Sequence, residues 1–227
     1  VSHAQNNRPL LFLQVPDYAS DPNTNQANNG ETHLDDNSLR SSTEYRSFAR
    51  KNMAANVQDV IILLGDSITK GGWAQGGFAP LLAERYVRKL DVLNRGFIGY
   101  QTDWAIPACE EIFAKQHERL YVPKVKLLTI WYGANDAAPA PSTHHVPRDR
   151  FKENLSHLVQ MVKLPTSPYY SPETGIILIT PPPLNTKQWA RPEYPRLFEY
   201  AEAVKEVGEK ENVPVADIWT AIFDGAG

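Results

Sequence analysis

After Met53 the sequence alternates short apolar runs with longer amphipathic stretches, and few folds accommodate that alternation. The runs are DVIILL at 59–64, DVLN at 91–94, VKLLTIW at 125–131, GIILIT at 175–180 and VPVADI at 213–218, which predict five strands. Between them, residues 78–89, 103–115, 147–163 and 193–211 carry helical spacing. In the third of these, Phe151, Leu155, Leu158, Val159 and Val162 fall on one stripe. Strands alternating with helices predict an α/β domain, a mostly parallel sheet covered by helices on both faces.

The first 52 residues do not share this pattern. From Asp17 to Asn52 the chain is rich in Asn, Ser, Asp and Thr, holds few aliphatics and shows neither helical nor strand periodicity. Residues 1–52 are therefore expected to be a disordered or loosely attached extension, with 53–227 as the domain. The sequence opens on Val1, and Met53 stands just before the patterned part, which makes it a candidate natural start.

Charge and composition narrow the function classes. With 23 basic and 26 acidic residues the net charge is -3, so there is no basic footprint for nucleic acid or an anionic membrane surface. A small-molecule or protein partner is expected instead. No run reaches the roughly 20 apolar residues of a membrane helix, and PLLFLQV at 9–15 is short for a signal-peptide core, so a cytoplasmic location is expected. Cys109 is the single cysteine, which excludes an internal disulfide and a Cys cluster for zinc, and it is expected to be a small buried residue.

In a doubly wound sheet, ligands sit outside the carboxyl ends of the strands, so the loops after each strand are the place to look. They read GDSITKGG, RGFIGYQT, YGANDAA and PPPLN in order. Ser67, at a strand-to-helix turn, can direct a hydroxyl into the crevice beside helix N-terminal amides. Acyl transfer needs such a serine, an oxyanion hole and a base. A backbone N–H at Gly99 and the side-chain amide of Asn135 are two kinds of oxyanion donor. Each loop also has a plain alternative: Ser67 as a helix cap, the glycines as turn residues, and Asn135-Asp136 as an Asx turn. Trp73, Phe78, Trp104 and Trp131 are either apolar pocket lining or core.

Taken in order, the loops resemble the blocks of the SGNH, or GDSL-type, hydrolase superfamily. GDSIT at 65–69 matches its first block, NRGFIGYQT at 94–102 its second, and GAND at 133–136 its third. RGFIGYQTDWA, GANDA followed by HHVP, FKENL, ITPPPLN and ADIWTA are similar to the isoamyl acetate-hydrolysing esterase branch. The resemblance implies a three-layer, flavodoxin-like fold with a five-stranded parallel sheet. It implies Ser67 as nucleophile on a small, acetate-like ester, with the Ser67 and Gly99 N–H groups and the Asn135 amide holding the oxyanion. No metal or cofactor is expected. The G-x-S-x-G elbow of α/β-hydrolases is absent from the sequence.

One block of the family's pattern does not match. The superfamily places an Asp-x-x-His pair after the fifth strand, whereas here DIWTAIFDGAG follows and no histidine occurs after His157. The domain is therefore expected to be C-terminally truncated, to lack its last helix and to have little activity by itself. His3 and His33 fall in the extension, His117 at a helix end and His157 on the polar side of the FKENL helix. His144 and His145 are the two in a loop on the correct side of the sheet, as a surrogate base or as a structural pair. A non-catalytic binding or regulatory protein on the same fold, or an acyltransferase using the same serine, are the alternative functions.

Overall fold

The computed structural model describes residues 58–184 and 196–225. The proposed extension at 1–52, the boundary at Met53 and the start of the fourth expected helix lie outside the described residues. Five parallel strands form one sheet: β1 (Asp59–Gly65), β2 (Leu90–Gly96), β3 (Val125–Trp131), β4 (Gly175–Ile179) and β5 (Val215–Ala216). Their spatial order is β2-β1-β3-β4-β5, the doubly wound, flavodoxin-like order. The strand direction of winding reverses between β1 and β3, which puts the ligand crevice at the ends of those two strands.

Helices α1 (Ser67–Gly71), α2 (Phe78–Arg85), α3 (Thr102–Ile112), α4 (Arg148–Lys163), α5 (Leu197–Glu211) and α6 (Ile218–Gly225) complete the domain. β1 is central, so both its faces are covered and its side chains from Val60 to Leu64 are all buried. Val60, Ile62 and Leu64 face a core shared with Leu128, Ile130, Ile176, Leu178 and the apolar sides of α3, α4 and α5. Ile61 and Leu63 face the other way, onto Ala79 and Leu82 of α2. Each such Ile or Leu contributes about 1.5–3 kcal/mol by leaving water. All five residues of the apolar stripe on α4 are buried, as the spacing predicts.

The register makes the carboxyl ends of three strands flush. Gly65 pairs with Gly96 on one side and with Trp131 on the other. The loops after β1, β2 and β3 therefore leave the sheet at one level and meet.

Boundaries differ from the sequence expectations where local geometry wins over pattern. α2 ends at Arg85, and Arg88 in the following turn takes the left-handed conformation, with φ 62°. α1 is a helix that the pattern does not reveal. β5 is two residues long, and the expected strand to residue 218 gives way to α6 from Ile218. Asp217 accounts for that change: its Oδ1 accepts from the Thr220 N–H at 3.1 Å and its Oδ2 from the Thr220 hydroxyl at 2.6 Å, an N-cap arrangement. A helix thus follows the fifth strand directly, where the pattern extends the strand to residue 218.

Candidate active site

The turn out of β1 leaves no room for a side chain at Gly65. A methyl group there would lie 2.1 Å from Thr69 Oγ1 and 2.7 Å from the Trp131 carbonyl oxygen. Asp66 follows, buried, with its Oδ1 accepting the Ile68 N–H at 2.8 Å. It is Asp66 that caps α1, and Ser67 is the first helical residue, exposed at the crevice. The cap role that competed for Ser67 is therefore already taken. Asn94, near the end of β2, braces the same helix: its Nδ2 donates to the Thr69 carbonyl at 2.7 Å and its Oδ1 accepts from the Gly96 N–H at 2.9 Å.

The loop after β2 holds Gly99 at φ 77°, a conformation that L side chains rarely adopt. Next to it, the Tyr100 carbonyl accepts from Asn135 Nδ2 at 2.8 Å. The same Nδ2 lies 3.5 Å from Asp66 Oδ2. Asn135 thus ties together all three loops leaving β1, β2 and β3. Only its bond to Tyr100 is short, so its second N–H, toward Asp66, is held weakly.

Asp136 anchors the third loop from beneath. It is fully buried; Oδ1 accepts from the Thr102 N–H at 2.9 Å and the Thr102 hydroxyl at 2.6 Å, and Oδ2 from the Gly133 N–H at 3.1 Å. The chain of bonds continues outward through Asn154 Nδ2, which donates to Thr102 Oγ1 at 3.1 Å and Asp103 Oδ1 at 2.8 Å. Burial pushes both carboxyls up to about 6, with mutual repulsion adding to it at Asp66 and the accepted hydrogen bonds opposing it at both. Tyr132 lies buried nearby; burial, then the Asp66 charge, pushes its phenol pKa above the usual value, and its hydroxyl has no hydrogen-bond partner among the described residues.

The histidines separate into distinct environments. His144 Nε2 lies 3.3 Å from where a methyl on Gly99 would sit, and its ring meets Trp104 edge-on at 5.6 Å. His145 Nδ1 is 2.6 Å from the Ala138 carbonyl oxygen. His117 lies at the surface beside Glu118, and His157 is exposed on α4. Among the described residues no histidine is hydrogen-bonded to the Ser67 hydroxyl; His3 and His33 lie outside those residues. Trp73 (45% exposed), Phe78 (37%) and Trp104 (40%) are not core residues, and Phe78 packs on Trp131 at 5.7 Å between ring centroids. Cys109 is buried, and its thiol is pushed up to about 12 by that burial. Among the described residues no group of three or more His, Cys, Asp or Glu side chains is placed to hold a metal ion, and no helix is long and apolar enough to cross a membrane.

Residues that brace the site, namely Asp66, Asn94, Asp136, Thr102 and Asn154, escape the sequence pattern. For Asp66 and Asp136 a signal existed, since each adjoins a named site residue at the mouth of an apolar strand. For Asn94 the bond that braces α1, to Thr69, and for Asn154 the bonds to Thr102 and Asp103 join residues distant in sequence and leave no local trace.

The sequence model of the GDSL-like Lipase/Acylhydrolase family matches residues 63–227, a span holding all three converging loops. The chain belongs to this family. Among the relatives of this GDSL-like chain, the human isoamyl acetate-hydrolyzing esterase 1 homolog is 38% identical over 176 residues, covering 72% of this chain and 68% of that protein. A GDSL esterase/lipase of Arabidopsis thaliana is 34% identical over 177 residues, covering 70% of each. The chain thus spans about two thirds of the length of such relatives. Among solved structures, the lipase/acylhydrolase from Enterococcus faecalis shares the GDSL-like fold with a TM-score of 0.53 at 26% identity, covering 73% of this chain and 79% of that one.

Proposed function

We infer that this GDSL-like chain carries the nucleophile and oxyanion hole of an esterase acting on small, acetate-like esters. Ser67 attacks the ester carbonyl, the alcohol leaves, and water releases the acid from the acyl-serine. The backbone N–H groups of Ser67 and Gly99 and the Asn135 amide donate to the oxyanion as negative charge develops on it. What carries this reading is Asn135: its amide bridges Tyr100 and Asp66, so that the loops bearing Gly99 and Ser67 share one anchor. The identity to isoamyl acetate-hydrolyzing relatives supports the choice of a small ester.

The chemistry also needs a base for the serine proton. The 227 residues hold no Asp-x-x-His after the fifth strand, and among the described residues no histidine is bonded to Ser67. Without a base, oxyanion stabilisation and binding leave roughly 10³–10⁴-fold over water, so the chain by itself is a slow esterase. Hydrolysis of p-nitrophenyl acetate tests this, with Ser67→Ala alongside. The expected result is slow turnover that falls to the solvent background in the variant. Equal rates for the two proteins would remove Ser67 as nucleophile, and rapid Ser67-dependent turnover would show that a base is present.

A further inference from the structure

Four rings run in a row beside the proposed oxyanion donors. Phe97 and Tyr100 lie 4.9 Å apart between centroids, Tyr100 and Trp104 meet edge-on at 5.8 Å, and Trp104 and His144 at 5.6 Å. The row begins next to the Tyr100 carbonyl that holds Asn135, and it ends with the His144 imidazole over Gly99. Nε2 at 3.3 Å and Cδ2 at 3.9 Å from a methyl built on Gly99 place the ring within contact range of the side of this glycine on which a side chain would stand.

The loop holding His144 is braced from within. The Val146 N–H donates to the Asp136 carbonyl at 3.1 Å, the His145 N–H to the Ser142 carbonyl at 3.0 Å, and the His144 N–H to Ser142 Oγ at 3.2 Å. Because Asp136 is itself fully buried, the backbone of the His144 loop is tied, through Val146, to the residue that follows Asn135. A wall tied to the oxyanion loop keeps its distance from the reacting carbonyl. Ile98, 70% exposed, and Trp104 continue an apolar surface beyond it.

We propose that His144, packed edge-on against Trp104, is the specificity-determining residue of this crevice: it stands against Gly99 and restricts the acyl group of the ester to a few carbons. The proposal rests on Ser67 as nucleophile. His144 acts by shape, taking no proton, so its removal changes which acyl group fits and does not abolish reaction at the serine. Each methylene that a pocket admits or rejects changes discrimination by about tenfold or more.

The test is covalent labelling of the full chain by alkyl fluorophosphonates bearing a methyl or a hexyl group on phosphorus, with the modified peptide identified by mass spectrometry. In the wild type, the methyl probe labels Ser67 and the hexyl probe lags. His144→Ala is expected to raise the hexyl-to-methyl ratio about tenfold or more, and His144→Trp to lower it further below the wild type. Because the ratio is internal to each protein, a loss of stability that slows both probes leaves it unmoved. An unchanged ratio in both variants overturns the proposal, whether or not both labels slow together. If neither probe modifies Ser67 in the wild type on prolonged incubation and Ser67→Ala hydrolyses p-nitrophenyl acetate at the wild-type rate, the serine reading fails and the specificity proposal fails with it.

Discussion

Asp66 and Asp136 at the centre of the sheet's carboxyl edge, and Asp217 at its rim, all brace a turn out of a strand, yet their acidities move in opposite directions. The central pair is buried, and burial raises each carboxyl to about 6. At Asp217 partial burial also pushes upward, but Lys205 Nζ at 2.8 Å and the Thr220 N–H and hydroxyl outweigh it and hold the group at about 2. The contrast teaches what the crevice demands of its frame. Loops that converge at β1 and β3 must be fixed from beneath, where water is absent and a charge is costly; the turn at β5 can use a cation and solvent.

The largest effect that would break this comparison is at Asp136. Its carboxyl satisfies the Thr102 N–H and hydroxyl and the Gly133 N–H, so Asp136→Ala leaves buried donors without partners. At pH 5, where the group is mostly neutral and the cost of a buried charge is small, the variant is expected to lose about 3 kcal/mol in urea unfolding. A loss no larger than that of an exposed Asp would show that the loop is not anchored there.

An effect of comparable size concerns pH. The rise of Asp66 from 3.8 to about 6 corresponds to about 3 kcal/mol. Because the folded value is above the unfolded one, this stability is fully present below pH 3.8 and is lost as pH rises through 6. Asn can still accept the Ile68 N–H, so Asp66→Asn is expected to keep the cap and to lose less stability than the wild type between pH 4 and 7. Unfolding midpoints across that range measure the difference, and parallel profiles for the two proteins would contradict the account.

The smallest effect is at the rim, with the opposite sign. Asp217→Asn weakens the Lys205 pair and the α6 cap at a partly exposed site, for about 1 kcal/mol at pH 7. A group lowered to about 2 contributes stability that is present above 3.8 and fades as pH falls toward 2. Thermal melts at pH 7 and pH 3 should therefore show the penalty shrinking in acid.

The sequence made the sheet legible because β1 is covered on both faces and so reads as a continuous apolar run. Likewise α4 is long enough for its stripe to show a period of 3.6. α1, with five residues, spans less than two turns and has no room for a period. At β5, Val215 and Ala216 favour extension, but the Asp217-to-Thr220 cap bonds start a helix that strand propensity alone does not anticipate. Within the site, Ser67, Gly99 and Asn135 stood out as small or polar residues at strand ends. Their supports did not, because a buried hydrogen bond such as Asn154 to Thr102 joins residues on two different helices. The two loop histidines looked equivalent in sequence; contact with Gly99 and Trp104 distinguishes His144, and the Ala138 carbonyl distinguishes His145.

Gly65, Asp66 and Ser67 stand side by side, but they answer to unrelated selective pressures. The first is fixed by volume, since any side chain would collide with the Trp131 carbonyl; the second by the need to end a strand and start a helix within one residue. Neither requirement refers to chemistry. Replacing Ser67 would leave both constraints in force, so the fold itself holds the first two letters of the motif whatever the third does.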